Sequence, residues 1–197
     1  MHLTSIMLKR TDEPADAVAF IAERKVRAAV LGPGFGVGEK LRELALAMLE
    51  MRGDAAALVL DADAITSFAD APASLFITAG DTGAPPLVLT PHEGEFARLF
   101  GSLARDETLS KVDRARKAAA RCHGVVVPKG ADTVIAAPDG RAVINANGSP
   151  WLATAGSGDV LAGLIAGLLA QGMPAVLRDL NEGAEDGELW RGAFGID

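Results

Sequence analysis

Gly156-Ser157-Gly158-Asp159 runs straight into Val160-Leu161-Ala162-Gly163, so small residues stand where a helix would begin. Glycines there leave the first backbone N–H groups uncovered at the positive end of the helix dipole, an arrangement that suits an anion. Asp159 then has two readings. It can cap the helix or complement its dipole. Beside a bound phosphate, which it would otherwise repel, it can instead take a proton from a hydroxyl about to meet that phosphate. No Gly-Lys-Ser/Thr follows, so the stretch is not a Walker P-loop.

Four other segments carry reactive or ligand-facing groups. Thr90-Pro91-His92-Glu93-Gly94-Glu95 has the form of a capping box, with Thr90 at the cap, Pro91 at the first helical position and Glu93 three residues after Thr90. That leaves Gly94 unexplained, since glycine within a helix costs about 1 kcal/mol against alanine. A ligand close to the backbone would explain it, and His92 would then face the strand ends; a structural or solvated histidine is the alternative. Gly32-Pro33-Gly34-Phe35-Gly36-Val37-Gly38 sits between a strand and a helix, as a dinucleotide loop does, but its spacing is Gly-x-Gly-x-Gly rather than Gly-x-Gly-x-x-Gly. A tight glycine turn remains equally open. Lys129 and Gly130 offer an ammonium and a backbone N–H to a nucleotide phosphate, or form a solvated turn. Asp61 and Asp63 end a strand where a metal or a hydroxyl could be held, unless Asp63 caps a short helix through Phe68. Lys111, Arg114, Arg116, Lys117 and Arg121 read as solvated helix surface.

These groups need elements to hold them. Arg27 to Leu31, Ala57 to Leu60, Leu87 to Leu89 and Val125 to Val127 are short apolar strands. Glu39 to Met51, Pro91 to Phe100 and Leu109 to Arg121 are helical in spacing. Thr133 to Ala137 and Arg141 to Asn145, joined by Pro138-Asp139-Gly140, carry a hairpin signal. Strands that are apolar throughout and alternate with helices predict an α/β layered domain with a mainly parallel sheet. Ligands of such sheets sit at the carboxyl ends of the strands, where several glycine and acidic clusters fall, so one composite site is expected there. From Gly158 onward the chain reads as a buried helix, with Gly163 and Gly167 permitting close packing in its core.

The composition narrows the partners. The chain has 197 residues, 49% of them hydrophobic, enough for one globular domain with a core. A net charge of -7 argues against general nucleic-acid binding, which needs a basic surface. Cys122 is the single cysteine, so no intrachain disulfide and no cysteine-rich zinc site can form, and a reducing compartment, the cytoplasm, is expected. Lys9 and Arg10 follow a short apolar stretch, the reverse of a signal peptide. The longest apolar run, Val160 to Ala170, falls short of the roughly 20 residues a membrane span needs, so no membrane partner is expected.

Taken together, Gly32-Pro-Gly-Phe-Gly36, Leu60-Asp-Ala-Asp-Ala64, Leu89-Thr-Pro-His-Glu-Gly-Glu95, Lys129-Gly130 and Gly156-Ser-Gly-Asp-Val-Leu-Ala-Gly163 resemble the NAD(P)H-hydrate dehydratase family of the ribokinase-like superfold. The resemblance runs from about Gly32 to Gln171. It implies a ribokinase-like layered α/β/α domain and a repair reaction: ADP or ATP, with Mg2+, drives dehydration of hydrated NADH or NADPH (NADHX, NADPHX) back to the reduced cofactor. Phosphoryl transfer to the ring hydroxyl makes it a leaving group. By the same resemblance Asp159 is the catalytic, substrate-contacting base, and Gly156, Ser157 and Gly158 form the anion hole, with Gly158 also against the nucleotide. Gly34 and His92 are substrate contacts. Lys129, Gly130, Ala131, Asp132 and Thr133 form the nucleotide-binding loop, and Glu95 helps organise magnesium. A homo-oligomer is implied as well.

The pattern also departs from the family. Members usually begin with a Gly/Ser-rich strand–helix unit that nothing before Arg27 matches, and they continue past the position of Gln171 with a helical segment unlike Ala175 to Asp197. Ser157 stands where Thr is common. The expected organisation is an N-terminally incomplete domain over 1–174 and an irregular acidic tail over 175–197. Two other functions stay open: a small-molecule kinase of the same superfold, of thiazole or pyrimidine type, which more often carries Asn where His92 stands, and a non-catalytic nucleotide-binding fragment.

Overall fold

Four apolar runs, β1 (Ala28–Leu31), β2 (Ala57–Leu60), β3 (Leu87–Leu89) and β4 (Val125–Val126), lie side by side in chain order and pair in parallel. The hairpin β5 (Thr133–Ala136) and β6 (Ala142–Asn145) extends the sheet antiparallel to six strands. The structure is a computed structural model that describes residues 7–51, 56–145 and 147–171; the tail expected over 175–197 lies outside the described residues.

The winding order decides where the helices go. Successive parallel strands joined by right-handed crossovers, always stepping the same way, put every crossover helix on one face of the sheet. These helices are α2 (Glu39–Leu49), α3 (Asp63–Ser67) with α4 (Pro72–Gly80), and α5 (Glu93–Leu99) with α6 (Gly101–Ala104) and α7 (Lys111–Cys122). They bury Leu31, Leu58, Leu60, Leu87, Leu89 and Val126 against Leu49, Phe68, Leu75 and Phe100. An added helix, α1 (Pro14–Glu23), joins this cluster through Val18 and Ile21.

The alternate strand residues, Ala57, Val59, Val88, Val125, Val127 and Ile135, face the other way. Among the described residues they meet one helix, α8 (Ser157–Ala170), through Ala162, Ile165, Ala166 and Leu169. That spacing is one face of a helix. The buried helix expected from the apolar run is therefore half bare: Val160 is 63%, Leu164 62% and Leu168 40% exposed. Gly163 and Gly167 open onto space instead of a close-packed neighbour. A helix laid singly on a sheet covers only its inner stripe. The periodic α1 and α4 were not anticipated, although a proline opens each. No helix among the described residues is long and apolar enough to cross a membrane.

Candidate functional site

Because β1 to β4 run in parallel, their carboxyl ends share one edge, and the residues just past each strand meet there. Pairing outlasts the strands at that edge: Val127 N–H donates to Leu89 O and Lys129 N–H to Pro91 O, both at 2.8 Å. This holds the backbone of Lys129 against the end of β3. Its ammonium Nζ donates to Asp61 Oδ1 at 2.7 Å, across 68 positions of sequence. The Asp61 side chain is 2% exposed and that of Lys129 22%. A carboxylate this far from water needs a charged partner, and Lys129 is it.

The start of α8 closes over the pair. A Cβ placed on Gly158 would stand 3.3 Å from Lys129 Nζ and 3.6 Å from Asp61 Oδ2, so glycine here lets the ammonium lie against the first helical turn. Gly156, the residue before the helix, takes φ +88, a left-handed conformation that glycine adopts without strain. Ser157 Oγ and N–H both donate to Thr154 O, at 2.9 and 3.3 Å, which secures the turn and takes that hydroxyl away from ligand duty. The first amides of a helix lack partners within it. Asp159 stands exposed in that first turn.

The capping of α5 differs from the sequence expectation. Thr90 is buried and still in the sheet, its N–H donating to Leu60 O at 3.2 Å and its hydroxyl to the same oxygen at 3.3 Å. Pro91 O is occupied by Lys129 N–H, so the helix cannot begin at Pro91. The cap is His92: its Nδ1 accepts from Gly94 N–H at 3.0 Å and Glu95 N–H at 3.3 Å, while Glu95 Oε2 accepts from His92 N–H at 2.8 Å. The box is thus His92 with Glu95, two residues later than Thr90 with Glu93. Gly94 is explained by the same contact, since a Cβ there would stand 2.9 Å from the imidazole. The ring remains exposed at the edge, with Nε2 3.3 Å from Glu95 Oε1. Glu95 itself is buried.

The two loops flanking the pair are tied from outside. Gly36 N–H donates to Asp63 Oδ2 at 2.8 Å, and Gly38 N–H to Ser67 Oγ at 3.0 Å, which in turn donates to Asp63 O at 2.7 Å. Asp63 is therefore the anchor of the glycine loop that carries Gly34. Gly34 itself, at φ +74, is exposed with open space where a side chain would be. In the loop 130–133, Gly130 N–H donates to Thr133 Oγ1 at 3.1 Å, so it is engaged rather than free. Ala131 and Asp132 are exposed. Lys111, expected on solvated surface, reaches back from α7 to donate to Asp132 O at 2.8 Å and to pair with the Asp132 carboxylate. The hydrogen bond and charge of Lys111 hold that carboxyl below its ordinary range.

The fold thus brings Asp61, Lys129 and Gly158 into contact, with Asp159 next to Gly158 in the chain and Gly34 and His92 at the ends of β1 and β3 on the same edge. Asp63, Ser67 and Lys111 were missed as site supports. Their partners lie 27, 29 and 21 positions away, beyond the reach of any local pattern. Among the described residues no group of three or more His, Cys, Asp or Glu is placed to hold a metal ion on its own.

Comparison with known proteins adds the following. A family model described as NAD(P)H-hydrate dehydratase matches residues 1–192. The bifunctional NAD(P)H-hydrate repair enzyme Nnr of Gloeobacter violaceus is 48% identical over 147 residues, covering 75% of this chain and 27% of that one. The ADP-dependent (S)-NAD(P)H-hydrate dehydratase of Neisseria meningitidis is 37% identical over 165 residues, 81% of this chain and 53% of its own. This chain therefore spans about half the length of that curated dehydratase and about a quarter of the bifunctional enzyme. Among solved structures, the ADP/ATP-dependent NAD(P)H-hydrate dehydratase of Bacillus subtilis, co-crystallized with ATP/Mg2+, superposes with a TM-score of 0.60 at 33% identity, covering 73% of this chain and 47% of that one. A ribokinase-like superfamily protein of Enterococcus faecalis reaches 0.61 at 25% identity, over 93% of this chain and 66% of its own.

Proposed function

The chain belongs to the NAD(P)H-hydrate dehydratase family, and from that premise we propose that it dehydrates hydrated NADH and NADPH with ADP or ATP as co-substrate. The observation that carries the reading is the Lys129–Asp61 pair set against Gly158 at the first turn of α8, with Asp159 next in the chain. A fixed ammonium and the positive end of a 14-residue helix converge there, as a phosphate chain requires.

In this reading the ring hydroxyl attacks the terminal phosphorus of the nucleotide, the bond from phosphorus to the departing nucleotide breaks, and Asp159 takes the hydroxyl proton. The new phosphate ester then leaves as phosphate, the adjacent ring carbon gives up a proton to water, and the ring double bond returns. The amides of Gly156 and Gly158 and the Lys129 ammonium stabilise charge on the transferring group, while Ser157, tied to Thr154 O, holds the turn that presents them. Lys129, Gly130, Ala131, Asp132 and Thr133 hold the nucleotide. Gly34 and His92, on neighbouring strand ends, meet the hydrated nicotinamide; the exposed edge of the His92 ring is compatible with both capping and contact. Glu95, by holding His92, orients it. Mg2+ keeps much of its water and takes one or two carboxylates, so it would come with the phosphates. The reading includes a homo-oligomer, which the resemblance of the motifs implies, and a cytoplasmic compartment, which the lone thiol favours.

The test is direct. Protein supplied with hydrated NADH, ADP or ATP, and magnesium regenerates the near-ultraviolet absorbance of reduced nicotinamide, and Asp159→Asn abolishes this while nucleotide binding survives. A folded, nucleotide-binding sample without turnover would sink the proposal. An Asp159→Asn variant as active as the parent would remove Asp159 from the role of base.

A further inference from the structure

The nucleotide reading leaves Asp61 without a task, yet the structure goes to some length to place it. Gly32, at φ +130, could carry no side chain: a Cβ there would fall 1.7 Å from Asp61 O. The end of β1 is thus shaped around the Asp61 backbone. Asp61 N–H donates to Leu31 O at 3.0 Å and its carbonyl accepts from Ala64 N–H at 3.0 Å, so the residue is held on both sides. The next residue, Ala62, turns at φ 47, a conformation that a side chain disfavours and that persists only where the surroundings enforce it. The result is a carboxylate 2% exposed, 2.7 Å from Lys129 Nζ and close beneath Gly158.

We propose that Asp61 is a positioning residue: it holds the Lys129 ammonium at the first turn of α8, so that a phosphate chain arriving there meets a cation already in place. The proposal rests on the nucleotide reading above. A lysine has four rotatable bonds, and one left to find its partner must give up that freedom on binding; one anchored beforehand has already done so. Asp61 supplies the anchor although its own negative charge repels phosphate. That opposition of sign makes the idea testable, because removing a nearby negative charge should by Coulomb's law tighten binding of an anion.

The experiment measures ATP and ADP affinity by calorimetry for the parent chain, Asp61→Asn, Asp61→Glu and the double variant Asp61→Asn/Lys129→Met, with thermal melting of each. Asp61→Asn is expected to weaken nucleotide binding about tenfold, the scale of one well-placed charged hydrogen bond. Asp61→Glu keeps the charge and moves it by one methylene, and is expected to weaken binding similarly, which preserves the test if the asparagine variant does not fold. Adding Lys129→Met to Asp61→Asn is expected to cost little more, since the unanchored lysine no longer contributes; losing both charges together also avoids a buried unpaired one. Affinity unchanged or tighter in folded Asp61→Asn, or a further large loss in the double variant, would overturn the proposal. A parent chain that binds neither nucleotide would overturn the nucleotide reading and this inference with it, and would be seen before any variant is compared.

Discussion

Cys122 shows how far one residue's surroundings set its chemistry. Buried at the end of α7, its thiol is pushed up to about 12 by loss of water around the thiolate. The thiolate is the reactive form, so the native protein should not react with a disulfide reagent at pH 8, and labelling should track unfolding in urea. Prompt stoichiometric labelling without denaturant would contradict the packing of α7. Lys129 teaches a related lesson. Its residue type and its place after an apolar strand made it legible as a candidate for a phosphate contact. That it shares its charge with Asp61 was not, because the partner lies on another strand and only the parallel pairing of β2, β3 and β4 brings them together. His92 was legible as a residue at the strand ends, but its ring nitrogen turned out to be the helix cap. Thr90 and Glu93 matched the local pattern better, and the sheet overruled it by keeping Thr90 and Pro91 extended.

At the level of elements, α8 separates apolar sequence from burial. Ile165 and Leu164 are neighbours in sequence and similar in hydrophobicity, yet Ile165 is packed on the sheet and Leu164 is 62% exposed. Ile165→Ala should destabilise the chain by about 2–5 kcal/mol, the usual cost of truncating a buried aliphatic side chain. Leu164→Ala should stay within about 0.5 kcal/mol, as surface changes do. Urea unfolding of the two variants checks this, and equal losses would mean that the outer stripe is covered in solution. The strands were readable from their apolar runs almost to the residue. The boundary of α5 was not, because a cap is chosen by which backbone groups the sheet has already engaged.

For the molecule as a whole, the exposed carboxylates bear on acid stability. Asp132 is held below the ordinary value of 3.8 by the Lys111 hydrogen bond and charge, and Asp106 by the hydroxyl and N–H of Thr108. The unfolded chain therefore binds protons first as pH falls. Stability from these groups is fully present above their ordinary range and is lost as pH drops through their lowered folded values. The contribution of these two carboxylates to the urea midpoint should hold steady from pH 7 to 5 and decline below about pH 4. Lys111→Met should flatten part of that decline, and an unchanged slope would dissociate Asp132 from it. By itself the sequence determined the α/β class, the strand runs, the hairpin and the glycine and acidic motifs of the family, because these rest on local periodicity and on residue chemistry. Only the tertiary structure decided that the crossover helices share one face, that among the described residues α8 stands alone on the other, and that Asp61, Lys129 and Gly158 meet. Strand order and crossover hand are properties of the whole sheet, and no local segment encodes them.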